Sequence, residues 1–255
     1  MEVGKEIFIK IVRYNNEGEG VGIFDNLVVF VKGLLIDEEA IVRITEVKKN
    51  YARGILLSLL KTSENRRISL CPYYNTCGGC DIMHMDNDTQ LLFKKQKIED
   101  VFKKICKLDI NVKEVCSYNN LYYRNKVVLR IEGNRIGYYK QKSNTLVDIN
   151  ECLICDKHIN EVISVVREFI NHYKTHKISE VMIRVAKDEI MISLDNLNKR
   201  WNEKFIDRLK FVTSIYVNNE LIYGIDSINQ KINDLVFDIS PKSFFQINVE
   251  TISNL

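Results

Sequence analysis

Proline is nearly absent, two residues in 255, and no stretch approaches the roughly 20 consecutive apolar residues that a membrane-spanning helix needs. The N-terminal segment, MEVGKEIFIKIVRYNNEGEG, also lacks the uninterrupted apolar core of a secretory signal. These absences exclude a helical membrane anchor within the sequence, and the expected location is cytoplasmic. Charge of one sign is scarce too: 37 Lys and Arg face 34 Asp and Glu, leaving +3. So small an excess cannot by itself argue for a polyanionic partner, and any RNA reading must rest on local features.

At 45% hydrophobic residues the chain is too apolar and too evenly mixed to be disordered, and it is long enough for two or three small cores. The seven cysteines are not expected in disulfides in a reducing compartment. Three of them fall within ten residues, which points to metal ligation instead.

Residues 5 to 60 read as short strands. Ile7, Ile9 and Ile11 alternate with polar or outward positions, and Leu27–Val31, Ala40–Val47 and Ile55–Leu60 follow after turn-like breaks. Five such strands predict a small barrel over residues 1–61. The polar stretch Lys61–Arg67 marks the boundary to a second region, 62–235. There Asn87 and Gln90 resemble a capping box, and Leu91, Ile98, Val101, Phe102 and Ile105 recur at helical spacing, predicting a helix of about five turns. Strands Tyr123–Ile131 and Arg135–Lys140 flank a Gly133-Asn134 turn. Ile159, Val162, Ile163, Val166 and Ile170 mark a second amphipathic helix. Strands near Glu180–Ala186, Glu189–Leu194 and Phe211–Val217 bracket a helix around Trp201–Leu209. The class is therefore α+β. Pro241 opens a last element, Ser243–Leu255, which has no closing signal and reads as a cut.

The strongest chemical pattern is Cys71-Pro-Tyr-Tyr-Asn-Thr-Cys77-Gly-Gly-Cys80. Gly78 and Gly79 let the backbone turn tightly so that three thiols converge, and three soft ligands call for a metal and a fourth ligand. Candidates for the fourth are His84, Cys106, Cys116, Cys152 and Cys155, and spacing does not choose among them. His84 would complete a zinc site of three cysteines and one histidine; cysteines not used as ligands read as small core residues. Zinc and an iron–sulfur cluster both accept four thiolates. Zinc sites usually come as paired CxxC knuckles, so three clustered ligands favour the iron–sulfur cluster, with zinc left open.

Other patterns are weaker. Gly18-Glu-Gly20-Val-Gly22 invites a phosphate-loop reading, but no buried strand leads in and no helix follows, so it reads as a glycine-rich hairpin in the barrel. Lys94, Lys95, Lys97, Lys103 and Lys104 share the polar side of the first helix, either as a solvated face or as one that contacts phosphates. Tyr122-Tyr123-Arg124-Asn125-Lys126 combines aromatic and cationic side chains suited to stacking and phosphate contact, although such strand aromatics are often core. Phe244-Phe245-Gln246-Ile-Asn248 offers an aromatic face beside amides that can read hydrogen-bonding edges; the plain alternative is a buried strand leading into a capped helix.

Taken together and in chain order, these segments resemble the TRAM-domain, iron–sulfur-containing RNA uracil-C5 methyltransferases over nearly all 255 residues. The segment Cys71-x5-Cys77-Gly-Gly-Cys80-x3-His84, followed by Gln90-Leu91 and a lysine-rich helix, is similar to that family's cluster loop. Tyr123-Arg124-Asn125-Lys126 is similar to its central-domain strand, and Ser240-Pro241-Lys-Ser-Phe244-Phe245-Gln246-Ile-Asn248 to its entry into the methyltransferase domain.

The resemblance implies an OB-like TRAM barrel that grips RNA at 1–61, a cluster loop with an α+β central domain at 62–235, and the start of a Rossmann-like methyltransferase domain, cut short, at 236–255. Val147-Asp148-Ile149-Asn150-Glu151-Cys152 reproduces the family's approach to its fourth ligand, so the resemblance selects Cys71, Cys77, Cys80 and Cys152 as ligands of a [4Fe–4S] cluster. It further implies that Gln246 contacts S-adenosylmethionine, that Phe244 stacks near the target base, and that Arg124, Lys126, Lys94 and Lys97 meet RNA.

Family chemistry adds a cysteine thiolate to C6 of uracil, transfers the methyl group to C5, and removes the C5 proton with a glutamate base. Both groups are expected beyond Leu255, so this chain by itself is expected to be inactive. The implied product is 5-methyluridine in 23S rRNA, since the family's tRNA-specific relatives lack barrel and cluster; the protein is expected as a monomer. A standalone RNA-binding protein with a structural cluster or zinc site is the alternative reading. An electron-transfer protein is a more distant one.

Overall fold

In a computed structural model, residues 1–172, 177–196 and 203–254 are described. The chain forms two compact units, one of residues Met1–Ser69 and Cys80–Cys116, the other of Leu70–Gly79 and Ser117–Leu255. The expected limits at 61 and 235 are not boundaries of these units. The cysteine loop is divided between them after Gly79, because its first ten residues pack with the later sheet.

The first unit carries β1 (Glu6–Lys10), β2 (Arg13–Tyr14), β3 (Gly20–Phe24), β4 (Leu27–Val31), β5 (Glu39–Val47) and β6 (Tyr51–Lys61) in the order β1-β5-β6-β4-β3-β2. β2 continues β1 after a break at Ile11–Val12. The first half of that strand pairs with β5 and the second with β3, which closes the sheet into a barrel. The break is why six strands stand where five were expected. Ile7, Ile9, Ile11, Val29, Val31, Ala40, Val42 and Ile44 alternate inward and fill the interior.

The Gly18–Gly22 segment becomes β3, joined to β4 through Asp25 and Asn26, both at positive φ (48° and 61°), as a two-residue hairpin turn requires. A Cβ at Gly22 would lie 2.4 Å from Ile9 Cγ1, so glycine here serves barrel packing, as the hairpin reading expected. Among the polar groups of this unit, Glu38 is fully buried. Its two carboxylate oxygens accept from Arg66 Nε and Nη2, both at 2.6 Å, and from the amides of Leu35 (2.8 Å) and Ser63 (3.2 Å). Burial acts to raise its pKa, but Arg66 and those amides outweigh it and hold the carboxylate below its ordinary value.

Helix α1 (Asn87–Val101) follows, with two departures from expectation. Its N-cap is Asp86, whose Oδ1 accepts from Thr89 N at 2.8 Å, one position before the expected Asn87–Gln90 box; Gln90 instead donates its side-chain amide to Met85 O at 3.0 Å. After Val101 the helix widens into a π-helical turn, Phe102–Cys106, and ends at Lys107 with φ 58°. The expected inward face is also displaced. Ile98, Phe102 and Ile105 are exposed, and Phe93 is the apolar side chain buried, against Leu35 and Met85 with Tyr14 and Ile82. Cys106 and Cys116 are exposed rather than core residues, because neither the π-helical turn nor the irregular stretch after it buries its side chains in the unit.

The second unit is built on a seven-stranded sheet, order β13-β12-β11-β10-β7-β8-β9. The strands are β7 (Lys126–Glu132), β8 (Arg135–Tyr139), β9 (Leu146–Asp148), β10 (Ile178–Ala186), β11 (Glu189–Asn196), β12 (Ser214–Val217) and β13 (Glu220–Gly224). All neighbours are antiparallel except β11 and β12. Helix α2 (Lys157–His172) buries Ile159, Val162, Ile163, Val166 and Ile170 as the spacing predicts, and Phe169 as well. The other sheet face meets the hairpin β14 (Ile228–Ile232) and β15 (Leu235–Ile239), with Met182, Met191, Tyr216, Ile228 and Ile239 in one apolar cluster with Phe245. Helix α3 covers Glu203–Arg208; Trp201, expected to open it, lies outside the described residues. Among the described residues no helix is long and apolar enough to cross a membrane.

Candidate functional site

Two features of the second unit meet on consecutive backbone segments: a group of cysteine thiols and an exposed aromatic–amide strip. The loop Cys71–Gly79 is folded by its own hydrogen bonds, Tyr74 N to Cys71 O at 3.2 Å and Cys77 N to Tyr73 O at 2.7 Å. It is docked at two points. Gly78 N donates to Tyr139 O at 3.0 Å, and Asn150 N donates to the Tyr73 hydroxyl at 3.0 Å. A Cβ at Gly78 would sit 2.7 Å from that same Tyr139 oxygen, so only glycine permits the approach.

This docking brings Cys71 and Cys77 toward Cys152. Burial pushes the thiols of Cys71 and Cys77 up, and a charge on Cys152 adds to both. Cys152 behaves oppositely. A hydrogen bond with the Cys155 thiol comes first, the amides of Ile154 and Cys155 and the Tyr138 hydroxyl assist, and together they push Cys152 down to about 6 against its burial. Cys155 is fully buried, 3.7 Å from the Tyr138 hydroxyl, and its own pKa is raised by its bond to Cys152 and by burial. The hydrogen bond between them thus favours charge on Cys152 and disfavours it on Cys155. Gly79 N also donates to Cys77 Sγ at 3.4 Å.

Three of the four sequence-selected thiols thus lie within electrostatic reach of one another, with N–H groups directed at sulfur. Such N–H···S contacts are what a metal-bound thiolate uses. Cys80, three residues beyond Cys77 in the chain, is half-buried and belongs to the first unit. Among the described residues no group of three or more His, Cys, Asp or Glu side chains stands at metal-holding separation. His84, the zinc candidate, is buried in the first unit; burial first, with Arg66 nearby, pushes its pKa down to about 4.

The strip is tied to the cysteine segment through main-chain bonds. Tyr122 N donates to Leu153 O (2.9 Å), Arg124 N to Ile154 O (2.8 Å), and Asp156 N to Arg124 O (2.9 Å). On its other side this stretch holds the segment after β15: Asn125 N donates to Ile247 O at 2.9 Å, Asn125 Nδ2 to Gln246 O at 3.2 Å, and Arg124 bridges Asn248. Gln246 is exposed, and Phe244 is 85% exposed. The segment is therefore no buried strand; it runs into a 3₁₀ turn, Val249–Asn254.

The second unit thus gathers Arg124, Lys126, Phe244 and Gln246, whereas Lys94 and Lys97 are exposed on α1 of the first. Sequence reasoning missed Arg184 of β10, 2% exposed, whose Nη1 and Nη2 donate to the carbonyls of Ser240 (3.3 Å) and Ser243 (2.8 Å) and so hold the approach to Phe244. A charged residue inside the apolar run EVMIRVA was the available signal.

Comparison with known proteins gives a consistent picture. Residues 1–57 match the TRAM domain family. An "uncharacterized RNA methyltransferase" of Clostridium tetani is 34% identical over 93% of this chain and 59% of its own length. One from Caldanaerobacter subterraneus is also 34% identical, over 97% of this chain and 63% of its own length. The chain therefore spans about three fifths of the relatives it matches. Among solved structures, Pyrococcus abyssi tRNA (uracil-54, C5)-methyltransferase in complex with S-adenosyl-L-homocysteine superposes with a TM-score of 0.73 at 25% identity, covering 96% of this chain and 63% of that one.

Proposed function

We propose that the chain is a member of the TRAM-containing RNA uracil-C5 methyltransferase family and the RNA-gripping front part of an S-adenosylmethionine-dependent enzyme that makes 5-methyluridine. The observation that carries this reading is the likeness to a uracil-C5 methyltransferase across 96% of the chain, barrel and central sheet included. In it, the barrel of residues 1–57 grips RNA and Phe244 stacks beside the target base. Gln246, whose main chain is fixed by Asn125, presents its amide to the cofactor. Arg124, Lys126, Lys94 and Lys97 contact RNA, all of them as cations suited to phosphate.

Cys71, Cys77, Cys80 and Cys152 are proposed to hold a [4Fe–4S] cluster. The lowered Cys152 thiol and the amide donors to sulfur support thiolate ligation, and a bound cluster would supply strong cross-links between chain segments. Cys155 stays a hydrogen-bond donor to Cys152 in this reading.

Large-subunit rRNA is the first substrate candidate, from the family resemblance of barrel and cluster loop. A tRNA is the second, because the Pyrococcus tRNA (uracil-54, C5)-methyltransferase aligns over nearly all of this barrel-bearing chain. A barrel therefore does not separate the two. Deleting the gene and measuring 5-methyluridine in 23S rRNA and in tRNA by mass spectrometry tests the proposal. Loss from rRNA supports the first candidate and loss from tRNA the second, while unchanged levels in both overturn the function.

A further inference from the structure

β7 and β10 pair antiparallel, with Arg130 opposite Glu180 and, four residues back along β7, Lys126 opposite Arg184. The first rung is an ion pair. The second sets two cations against each other on the same sheet face. Directly opposed like charges destabilise a strand pair, and a buried cation without a counter-charge is costly. Arg184 is almost wholly buried, and its guanidinium donates to the carbonyls of Ser240 and Ser243, which do not neutralise its charge. Among the described residues neither Arg184 nor Lys126 has a carboxylate partner. Burial lowers the pKa of both, and Arg184 lowers that of Lys126 further. A fold that places Arg130 against Glu180 on this face shows how readily the same rung could have been balanced.

We propose that Lys126 and Arg184 form a phosphate site that takes one backbone phosphodiester of the bound RNA, the Lys126 ammonium making the contact and Arg184 supplying a fixed positive charge behind it. The location fits a phosphate next to a recognised base. Arg184 holds Ser240 and Ser243, and the next residue is the exposed Phe244. The inference rests on the RNA reading above and adds to it a counter-ion, a buried partner for Lys126, and the place in the fold where backbone and base contacts meet.

The test uses the 255-residue chain and a fluorescent single-stranded poly(U) RNA, with affinity measured by anisotropy at several salt concentrations. Lys126→Glu recreates the Arg–Glu rung seen at Arg130 and Glu180. It should raise the melting temperature without RNA, weaken RNA binding by about tenfold or more near 0.1 M salt, and reduce the salt slope by about one. Lys126→Met should weaken binding in the same sense and raise the melting temperature by less than Lys126→Glu, since it removes the repulsion without adding an ion pair.

If the wild type binds and both variants keep its affinity and slope, the site is wrong. A fall in S-adenosylhomocysteine affinity with RNA affinity unchanged would give the anion to the cofactor's carboxylate and also overturn the proposal. If the wild type binds no RNA, the RNA reading itself has failed, and inorganic phosphate then decides the site. Stabilisation of the wild type by phosphate over chloride at equal ionic strength, absent in Lys126→Glu, retains an anion site; equal shifts in both remove it.

Discussion

Asn160, on the first turns of α2, clamps Cys152 from both sides of its peptide: its Oδ1 accepts from Cys152 N at 2.8 Å and its Nδ2 donates to Cys152 O at 3.3 Å. The thiol that hydrogen bonds push down is thereby fixed to a helix that is itself anchored in the core by Ile159, Val162 and Ile163. Asn160→Ala removes both bonds. It should destabilise the chain by about 1–2 kcal/mol and lower iron retention after gel filtration, measured by thermal melting and by iron analysis of anaerobically purified protein. Iron content equal to wild type would separate the clamp from the metal site.

Cys152 and Cys155 have opposite roles in one hydrogen bond, so their serine variants should differ. Protein purified without oxygen should be brown, with about four irons per chain as one cubane held by four thiolates requires. Cys152→Ser should lose that colour and its sulfide. Cys155→Ser should keep both, because a hydroxyl can still donate to Cys152. Stoichiometric zinc without sulfide in the wild type would replace the cluster by a zinc site.

Glu38 is fully buried and held by Arg66 and two amides. Glu38→Gln leaves Arg66 without its counter-charge and should cost about 3 kcal/mol, read by urea denaturation at pH 7. The pH dependence has a definite sign. The folded pKa lies below the unfolded one, so the stabilisation is complete above the ordinary glutamate value of about 4.3 and fades as pH falls below it toward the depressed value. Wild type and Glu38→Gln should therefore converge in stability as the pH is lowered through that range.

Gly78→Ala places a methyl group 2.7 Å from Tyr139 O and 2.9 Å from Gln141 N, both of them backbone atoms that cannot swing aside. The docked loop should lift, weakening metal retention more than it lowers the melting temperature of the barrel. Comparing the two readouts in one variant checks this, and Gly79→Ala, which meets only Cys77 Sγ at 3.5 Å, is the milder control.

Charge reversal at Lys94 and Lys97 should weaken RNA binding and flatten its salt dependence by about one unit for each phosphate no longer neutralised. The two side chains are exposed on α1 and enter no ion pair among the described residues, in contrast to Lys103 and Lys104, which face Asp109 and Asp100. Unchanged binding would return Lys94 and Lys97 to ordinary solvation.

Local rules made much of this protein readable. The alternation of Ile7, Ile9 and Ile11, the 3.6-residue period of α2 and the Gly133-Asn134 turn each depend on neighbours a few residues away, and each appears where the spacing puts it. The gathering of cysteines was readable in part, since Cys71 and Cys77 sit on one loop, but Gly78 serves the docking of that loop against Tyr139 and Gln141, and neither Gly78 nor Gly79 holds the positive φ of a tight turn.

Period and spacing fix which side chains share a face, but not which faces find a partner. Helix α1 shows the limit, because its best-spaced apolar residues Ile98, Phe102 and Ile105 stay exposed while Phe93 is the side chain that docks. The opposition of Lys126 and Arg184, the bridge from Arg124 to Asn248 and the donation from Cys155 to Cys152 likewise arise only in the folded chain. The first two of these join residues far apart in the chain. Those two depend on the register of strands and on burial, which turns a charge into a liability, while the third rests on hydrogen bonds that lower the Cys152 thiol against its burial.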